Sequence, residues 1–338
     1  MRHFLLAIAV ALTPFTAIAE TTNPVIRDIV SGHILPRFDT LAETSQHLAD
    51  VAQGDCAPTS DTLRTAYAEA FDAWVSVSHL RFGPTEVNNR AFALAFWPDS
   101  RGATPRSLTT LIENQDAIAT SPEEYARVSI AARGFYALEF LLYDGALSGL
   151  GDADYRCTLV QTVTADIAAI SAAIRDDWQS DYAARLLAAV SGGTYRSDEE
   201  VLRELFKALT TGLQFTSDTR LGRPLGTFDR PRPTRAESWR SGRSAHNVDL
   251  SLTALRDLAI RLSSDDAPLA QRIDDSFDRA LTRLAVLDDP IFAGVADPQS
   301  RLMVEVIQQE VDAIRFIVRD ELGPTLGVSA GFNALDGD

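Results

Sequence analysis

Apolar residues recur at three- and four-residue spacing along almost the whole of this 338-residue chain. That spacing places them on one face of an α-helix, and no useful stretch alternates in the way a strand does. Helix-start signals occur at 121–124 and 197–200, where a serine precedes acidic residues. We therefore expect an all-α fold. The predicted helical segments are 24–51, 60–81, 105–118, 122–144, 155–190, 198–219, 235–263, 268–287 and 298–322.

The length of the chain favours two domains, because it exceeds what one hydrophobic core usually holds. The glycine pair at Ser191–Thr194 is the best boundary, since it is short and central. We predict an N-terminal helical bundle at 20–192 and a C-terminal helical bundle at 193–338. A weak similarity between residues 160–177 and 304–321 is consistent with a duplication, although any two amphipathic helices match at apolar positions. Pro36 should kink or divide the first helix.

The N-terminus has the pattern of a secretory signal peptide. Arg2 and His3 precede a short apolar run at 4–12, and Ala17 to Ala19 provide a small-x-small cleavage site. The run is too short to span a bilayer, and no later segment is apolar for long enough. We predict cleavage after residue 19 and a periplasmic location, with no transmembrane segment in the mature protein.

Charge and cysteine content exclude some functions. Without the signal peptide the chain has 30 basic and 47 acidic residues, so nucleic acid is not an expected partner. Cys56 and Cys157 are the two cysteines, and an even number in an exported protein suggests one disulfide, with two buried free thiols as the alternative. Neither belongs to a Cys-x-x-Cys pair, which argues against a thiolate metal site.

One helix places a carboxylate among apolar residues. Tyr136, Glu139 and Tyr143 lie on one face of the segment 133–143, and aromatic and leucine side chains cover the rest. A buried carboxylate is unfavourable unless an arginine, a tyrosine hydroxyl or a metal pairs with it. Glu139 is therefore either half of an interior ion pair with an arginine or part of a ligand site. Gly134 would allow a helix or ligand to approach closely, although a mid-helix glycine costs about 1 kcal/mol relative to alanine.

Three other segments carry candidate site residues. His79 and Arg81 lie at the end of a long helix, where each also suits a capping or packing role. Trp97 and Asp99 occupy a rigid loop, and an ion pair between Asp99 and a neighbouring arginine is the structural alternative. Residues 220–243 hold seven arginines in a loop rich in proline and glycine. This loop either clamps a carboxylate or phosphate ligand or cross-links the acidic first half of the chain.

Several blocks resemble the imelysin-like family. They are residues 71–74, 81–84, 96–99, 220–226 and 331–338, together with the signature helix, where the family pattern Gly-x-His-x-x-Glu is met by Gly134, Tyr136 and Glu139. The resemblance covers nearly all of the mature chain. It implies two helical bundles, each similar to a four-helix bundle, related by pseudo-symmetry with a site at their interface. It also implies bacterial cell-envelope placement and a link to iron.

The family histidine and glutamate have been proposed as metal ligands, and Tyr136 replaces that histidine. A tyrosine hydroxyl is a poor ligand for catalytic zinc but is compatible with ferric iron. No His-Glu-x-x-His motif is present. The leading hypothesis is a non-catalytic periplasmic protein of iron acquisition that binds iron or a ferric chelate and acts with a membrane partner. A metallopeptidase and a metal-free polysaccharide- or protein-binding module are the alternatives. The candidate ligands are Glu139, Tyr136, Asp99 and His79, and the supporting residues are Gly134, Arg81, Trp97, Arg220, Ser241 and Arg243.

Overall fold

The computed structural model describes residues 23–328, so the predicted signal peptide and the motif at 331–338 lie outside the described residues. Regular structure within this range is helical, apart from one isolated bridge between Thr227 and Arg230. The all-α prediction is confirmed. The α-helices are α1 Pro24–Ile29, α2 Leu35–Gly54, α3 Asp61–Val77, α4 Arg90–Leu94, α5 Ala103–Asn114, α6 Pro122–Tyr125, α7 Gly134–Tyr143, α8 Ala153–Asp177, α9 Ala183–Leu187, α10 Asp198–Gln214, α11 Gly222–Leu225, α12 Ser244–Leu262, α13 Ala267–Ala285, α14 Pro298–Ile317 and α15 Gly323–Thr325.

Short helical turns of other types connect or extend these helices. The π-helical turns are Val30–Ile34, Trp178–Tyr182, Phe215–Leu221 and Val318–Leu322, and the 3-10 turns are Gly83–Thr85, Val87–Asn89, Ala117–Thr120, Ile130–Ala132, Pro233–Arg235 and Ala293–Ala296. Pro36 lies at the start of α2, directly after the first π-helical turn. The sequence correctly predicted an interruption there, because proline cannot donate a backbone hydrogen bond.

The helices pack in two groups. In the first half α2 packs against α3 and α8, and in the second half α13 packs against α12 and α14. Contacts of α12 with α3 join the groups. The buried apolar side chains form one contiguous cluster that includes both halves, so the division into two bundles remains a prediction.

Two predicted helices are shorter than expected. The segment 122–144 is divided into α6, a 3-10 turn and α7, because Arg133 is extended and Gly134 has a φ of +75°. Gly134 is therefore the first residue of α7 and not a mid-helix glycine. The segment 235–263 becomes helical only at Ser244, after a loop that contributes to the cavity described below.

The disulfide prediction is confirmed. Cys56 and Cys157 are bonded, with their Cα atoms 5.2 Å apart, and the bond links the end of α2 to the first turns of α8. The expectation that no later segment is apolar for long enough was wrong for the helical stretch 153–187, which could cross a membrane by length and composition. However, 61% of its most apolar window is buried inside the protein. Its contacts with α2 show that this apolar surface serves the core.

Candidate functional site

A cavity of about 210 Å³ lies between segments from the two halves of the chain. The first half contributes the loop before α5 and one face of α7, and the second half contributes Arg223 and the loop 234–240. Tyr136 and Glu139, which lie one turn apart on α7, both line the cavity. The predicted shared face of this helix therefore borders a cavity.

Glu139 is 3% exposed and is held by the second half of the chain. Its Oε1 accepts hydrogen bonds from the Ser241 backbone N–H at 3.0 Å and from the Ser241 hydroxyl at 2.8 Å. Burial raises the pKa of Glu139, while the two Ser241 hydrogen bonds and the Arg240 charge act in the opposite direction. Among the described residues no arginine forms an ion pair with Glu139, so the predicted arginine partner is absent and the ligand site stays a prediction.

The interior ion pair of this region is between two other residues, Arg220 and Glu237. Arg220 Nε donates to Glu237 Oε2 at 2.7 Å, and the two residues are 3% and 2% exposed. Asn247 Nδ2 donates to the same oxygen at 3.0 Å. Arg220 also donates to the Ser251 hydroxyl at 3.0 Å. The guanidinium and the carboxylate of this ion pair therefore each have a further hydrogen bond, as a buried pair requires.

Tyr136 is attached to this ion pair. Its hydroxyl donates to Glu237 Oε1 at 2.6 Å. Burial, and after it the negative charge of Glu237, raises the pKa of Tyr136 well above its ordinary value. The phenol is therefore a neutral donor, and ionising it would place a phenolate beside a carboxylate.

The first-half loop completes one wall of the cavity. The Trp97 ring stacks on Tyr136 with centroids 6.2 Å apart. Asp99 accepts hydrogen bonds from the backbone N–H groups of Ala103 at 2.9 Å and Thr104 at 2.8 Å. Asp99 therefore lines the cavity while it caps α5, a use of the carboxylate that the sequence did not predict.

Gly134 fixes the position of this loop. A β-carbon on Gly134 would lie 2.5 Å or less from the carbonyl groups of Ala93 and Leu94. The predicted close approach is thus made by the chain itself and not by a ligand. It holds the backbone that leads to Trp97 against the first turn of α7.

His79 and Arg81 do not line the cavity. Arg81 forms a surface ion pair with Glu86. His79 Nε2 lies 2.9 Å from His33 Nε2, and His33 Nδ1 lies 2.7 Å from Asp257 Oδ2. Burial lowers the pKa of His33 to about 4 and that of His79 well below its ordinary value, so both rings are neutral. The pair was missed because its members are 46 residues apart in sequence.

The arginine-rich loop has mixed roles. Arg240 pairs with Asp144, and Arg243 pairs with Asp72. These two arginines therefore cross-link the loop to the first half of the chain, which was one of the two predicted roles of the loop. Arg223 and Arg235 line the cavity and have no ion-pair partner among residues 23–328. Sequence reasoning missed Glu237, although only it and Asp229 are acidic within 220–243.

The described residues do not supply the usual set of donors for the predicted metal site. Within residues 23–328 there is no group of three or more histidine, cysteine, aspartate or glutamate side chains arranged to hold a metal ion. Glu139 and Glu237 are near enough for the charge of Glu237 to raise the pKa of Glu139. Glu237, however, already pairs with Arg220.

The sequence profile of the family Peptidase_M75, described as imelysin, matches residues 34–315. The match covers most of the chain, including α7 and the arginine-rich loop. The chain belongs to the imelysin family. An iron-regulated protein A from Synechococcus elongatus is 23% identical over 330 residues, covering 89% of this chain and 87% of that protein.

Two solved structures share the imelysin fold of this chain. An imelysin-like protein from Psychrobacter arcticum has a TM-score of 0.78 at 21% identity, covering 96% of this chain and 100% of that one. A protein from Parabacteroides distasonis, named as a candidate iron-regulated protein A precursor, has a TM-score of 0.72 at 13% identity, covering 87% and 93%. The resemblance read from the sequence is thus confirmed at the level of family and fold.

This chain departs from the family pattern Gly-x-His-x-x-Glu at Tyr136, and the hydrogen bond of that residue shows how its chemistry differs from that of a histidine. A histidine presents a nitrogen lone pair to a metal, whereas the Tyr136 hydroxyl donates its proton to Glu237. Glu139, which retains the pattern, is the buried carboxylate that lines the cavity without a cationic partner.

Proposed function

We propose that this imelysin-family protein is a non-catalytic periplasmic component of iron acquisition, and that it binds ferric iron as a chelate in the cavity beside Glu139. The name of the Synechococcus relative, iron-regulated protein A, supports an iron-related role. The signal-peptide pattern at residues 1–19 supports a periplasmic location. A membrane partner that receives the chelate belongs to the same proposal.

The observation that supports the proposal is a difference between two buried glutamates, of which one has an arginine partner and the other does not. Glu237 is neutralised by Arg220 at 2.7 Å, whereas Glu139 has hydrogen bonds from Ser241 alone and lines a cavity. A carboxylate kept buried without a cation is destabilising, and such groups concentrate at functional sites. Glu139 is therefore the residue assigned to the ligand.

The state of Tyr136 favours a chelate over the bare ion. Ferric iron bound directly by Tyr136 requires the phenolate, and the buried position beside Glu237 raises the pKa of that hydroxyl. A chelate brings most of its own oxygen ligands, so the protein need supply only shape, charge and hydrogen bonds. Trp97 and Trp239 give the cavity apolar walls that suit an organic ligand.

The peptidase named in the family description is the second candidate. Glu139 could serve as a general base, but the described residues place no histidine and no third carboxylate at the cavity to complete a metal-assisted site. A peptidase would show cleavage of a peptide panel that is abolished by a chelator and by Glu139→Gln. A metal-free glycan or protein ligand would occupy the same cavity and would bind without iron.

The test is a titration of the mature protein from Glu20 with two ferric complexes, ferric citrate and a ferric trihydroxamate that carries no carboxylate. Trp97 and Trp239 line the cavity, so quenching of tryptophan fluorescence reports binding, and calorimetry gives the stoichiometry. We expect one site for at least one complex, with binding lost in Glu139→Ala. Glu124→Ala is the matched control, because Glu124 lies on the surface and pairs only with Arg127.

The variant Tyr136→Phe distinguishes binding of a ferric chelate from binding of the bare ferric ion. The variant keeps the ring stacked on Trp97 and removes only the hydroxyl. We expect chelate affinity to change by less than about fivefold, since the hydroxyl is not an iron ligand. Failure of both ferric complexes to bind, or equal affinity in Glu139→Ala, would overturn the proposed function.

A further inference from the structure

Two arginines at the cavity lack counter-ions. Arg223 and Arg235 both line the cavity, and neither forms an ion pair with any described acidic residue. Arg223 Nε is buried and has no hydrogen-bond partner within the described chain. Its guanidinium lies 5.7 Å from the centre of the Trp97 ring, so the aromatic wall fixes its position. Arg240, the third arginine of the lining, is by contrast paired with Asp144 at 2.8 Å.

The acidic groups of the cavity do not neutralise this pair. Asp99 is engaged by backbone N–H groups at the start of α5, and Glu139 is engaged by Ser241. The positive charge of Arg235 lowers the pKa of Arg223, in addition to the effect of burial, which shows that the two like charges act on each other. The protein has a net charge of −16, so a site for an anion needs local positive charge, which this pair supplies.

The geometry points to a small hydroxycarboxylate or amino-carboxylate as the ligand, with its carboxylate between Arg223 and Arg235 and its hydroxyl or ammonium donating to Glu139. Guanidinium groups recognise carboxylates through paired, charge-assisted hydrogen bonds. Glu139 Oε2 receives no hydrogen bond from a described residue, which leaves it as the acceptor for the ligand's donor.

The size of the cavity limits the ligand. A cavity of roughly 150 Å³ holds a benzene molecule, so the 210 Å³ here holds on the order of ten heavy atoms, which is a small organic acid or one arm of a larger ferric chelate. Hydroxycarboxylates are also oxygen chelators of hard cations such as ferric iron. This assignment rests on the proposed function in placing the ligand beside Glu139, and it names the chemical class of the chelator.

The experiment compares two iron-free acids in metal-depleted buffer by calorimetry. Citrate and tricarballylate have the same three carboxylates and differ only in the hydroxyl of citrate. We expect citrate to bind at least about fivefold more tightly, and this difference to shrink in Glu139→Gln. We expect Arg223→Gln and Arg235→Gln each to weaken citrate binding by about tenfold or more, because each removes a charge-assisted hydrogen bond.

Arg230→Gln is the matched control, since Arg230 lies in the same loop, is exposed and does not line the cavity. It should change citrate affinity by less than about twofold. Arg235 is exposed as well, so the Arg235→Gln result does not depend on the stability of the variant. Thermal melts of all variants accompany the titrations.

The outcomes separate this inference from the proposed function. Citrate binding that depends on both arginines, without binding of any ferric complex, supports the inference and overturns the proposed function. Binding of the ferric trihydroxamate alone, with no carboxylate bound at millimolar concentration, supports the function and overturns the inference. Inorganic phosphate that binds as tightly as citrate with the same arginine dependence, or citrate binding that is indifferent to both arginines, also overturns it.

Discussion

Replacing Gly134 by alanine should destabilise the protein strongly, because two separate features of the structure require glycine. The backbone φ of Gly134 is +75°, a region that costs an L-residue about 1–2 kcal/mol. A β-carbon would also lie 2.5 Å or less from the backbone carbonyl groups of Ala93 and Leu94. Backbone atoms cannot rotate away as the end of a side chain can, so this clash adds about 1–3 kcal/mol, as in an overpacked core.

Together these terms predict a loss of about 2–5 kcal/mol in the free energy of unfolding, and a melting temperature lowered by roughly 3–8 °C for a chain of this length. Urea unfolding and thermal melts followed by circular dichroism measure both quantities. The displaced segment leads to Trp97, so ligand binding at the cavity should weaken in the same variant even well below its melting temperature.

Gly54→Ala is the matched control. Gly54 ends α2, and a β-carbon there meets nothing within 4 Å. Alanine should leave stability unchanged or raise it by about 0.4–1 kcal/mol, because it restricts the unfolded chain. A Gly134→Ala protein that melts within about 1 °C of the wild type would refute the reasoning, since both the positive φ and the close backbone approach would then be wrong.

Two further predictions concern the buried carboxylates. Arg220→Met leaves the buried Glu237, which is 2% exposed, without its cation, and should lower the free energy of unfolding measured in urea by about 3–5 kcal/mol. The double variant with Glu237→Met should recover much of this loss. An equal loss in the single and double variants contradicts the ion pair. Burial raises the folded-state pKa of Glu139 above its ordinary 4.5, so the folded protein binds more protons there and wild-type stability falls as pH rises through that window. Glu139→Gln has no titrating carboxyl at this position, so the stability of the variant relative to the wild type should increase from pH 4 to pH 7. A relative decrease measured by urea unfolding contradicts a raised pKa for Glu139.

The fold was predictable from the sequence because helix formation in this chain is a local property. The spacing of apolar residues gave the all-α class, and caps such as Ser60 and Asp297 lie at the helix starts. The errors in helix bounds have a common cause. The break before Gly134 and the late start of α12 at Ser244 are set by tertiary contacts and by a loop, which periodicity does not report.

The site was predictable only in part, since its central interactions join residues distant in sequence. Glu139 and Tyr136 were identified from one helix, because their spacing places them on one face. The partners of these residues, Ser241 and Glu237, are about 100 residues away, and no periodicity links them. Ser241 was named among the supporting residues without a predicted contact to Glu139. Glu237 was missed because an acid among many arginines resembles an ordinary surface residue.

The replacement of the family histidine by Tyr136 and the presence of Arg223 and Arg235 support the same conclusion about the ligand. A site that binds a bare cation needs converging lone pairs and negative charge, but the Tyr136 hydroxyl gives its proton to Glu237 and the two arginines at the cavity carry positive charge. A site that binds an anionic chelate needs donors and cations, with one acceptor for a ligand hydroxyl. The cavity has arginines of this kind, and Glu139 is the acceptor that we propose. The histidine-to-tyrosine change is therefore consistent with a protein that recognises the organic acid around the iron and not the metal itself.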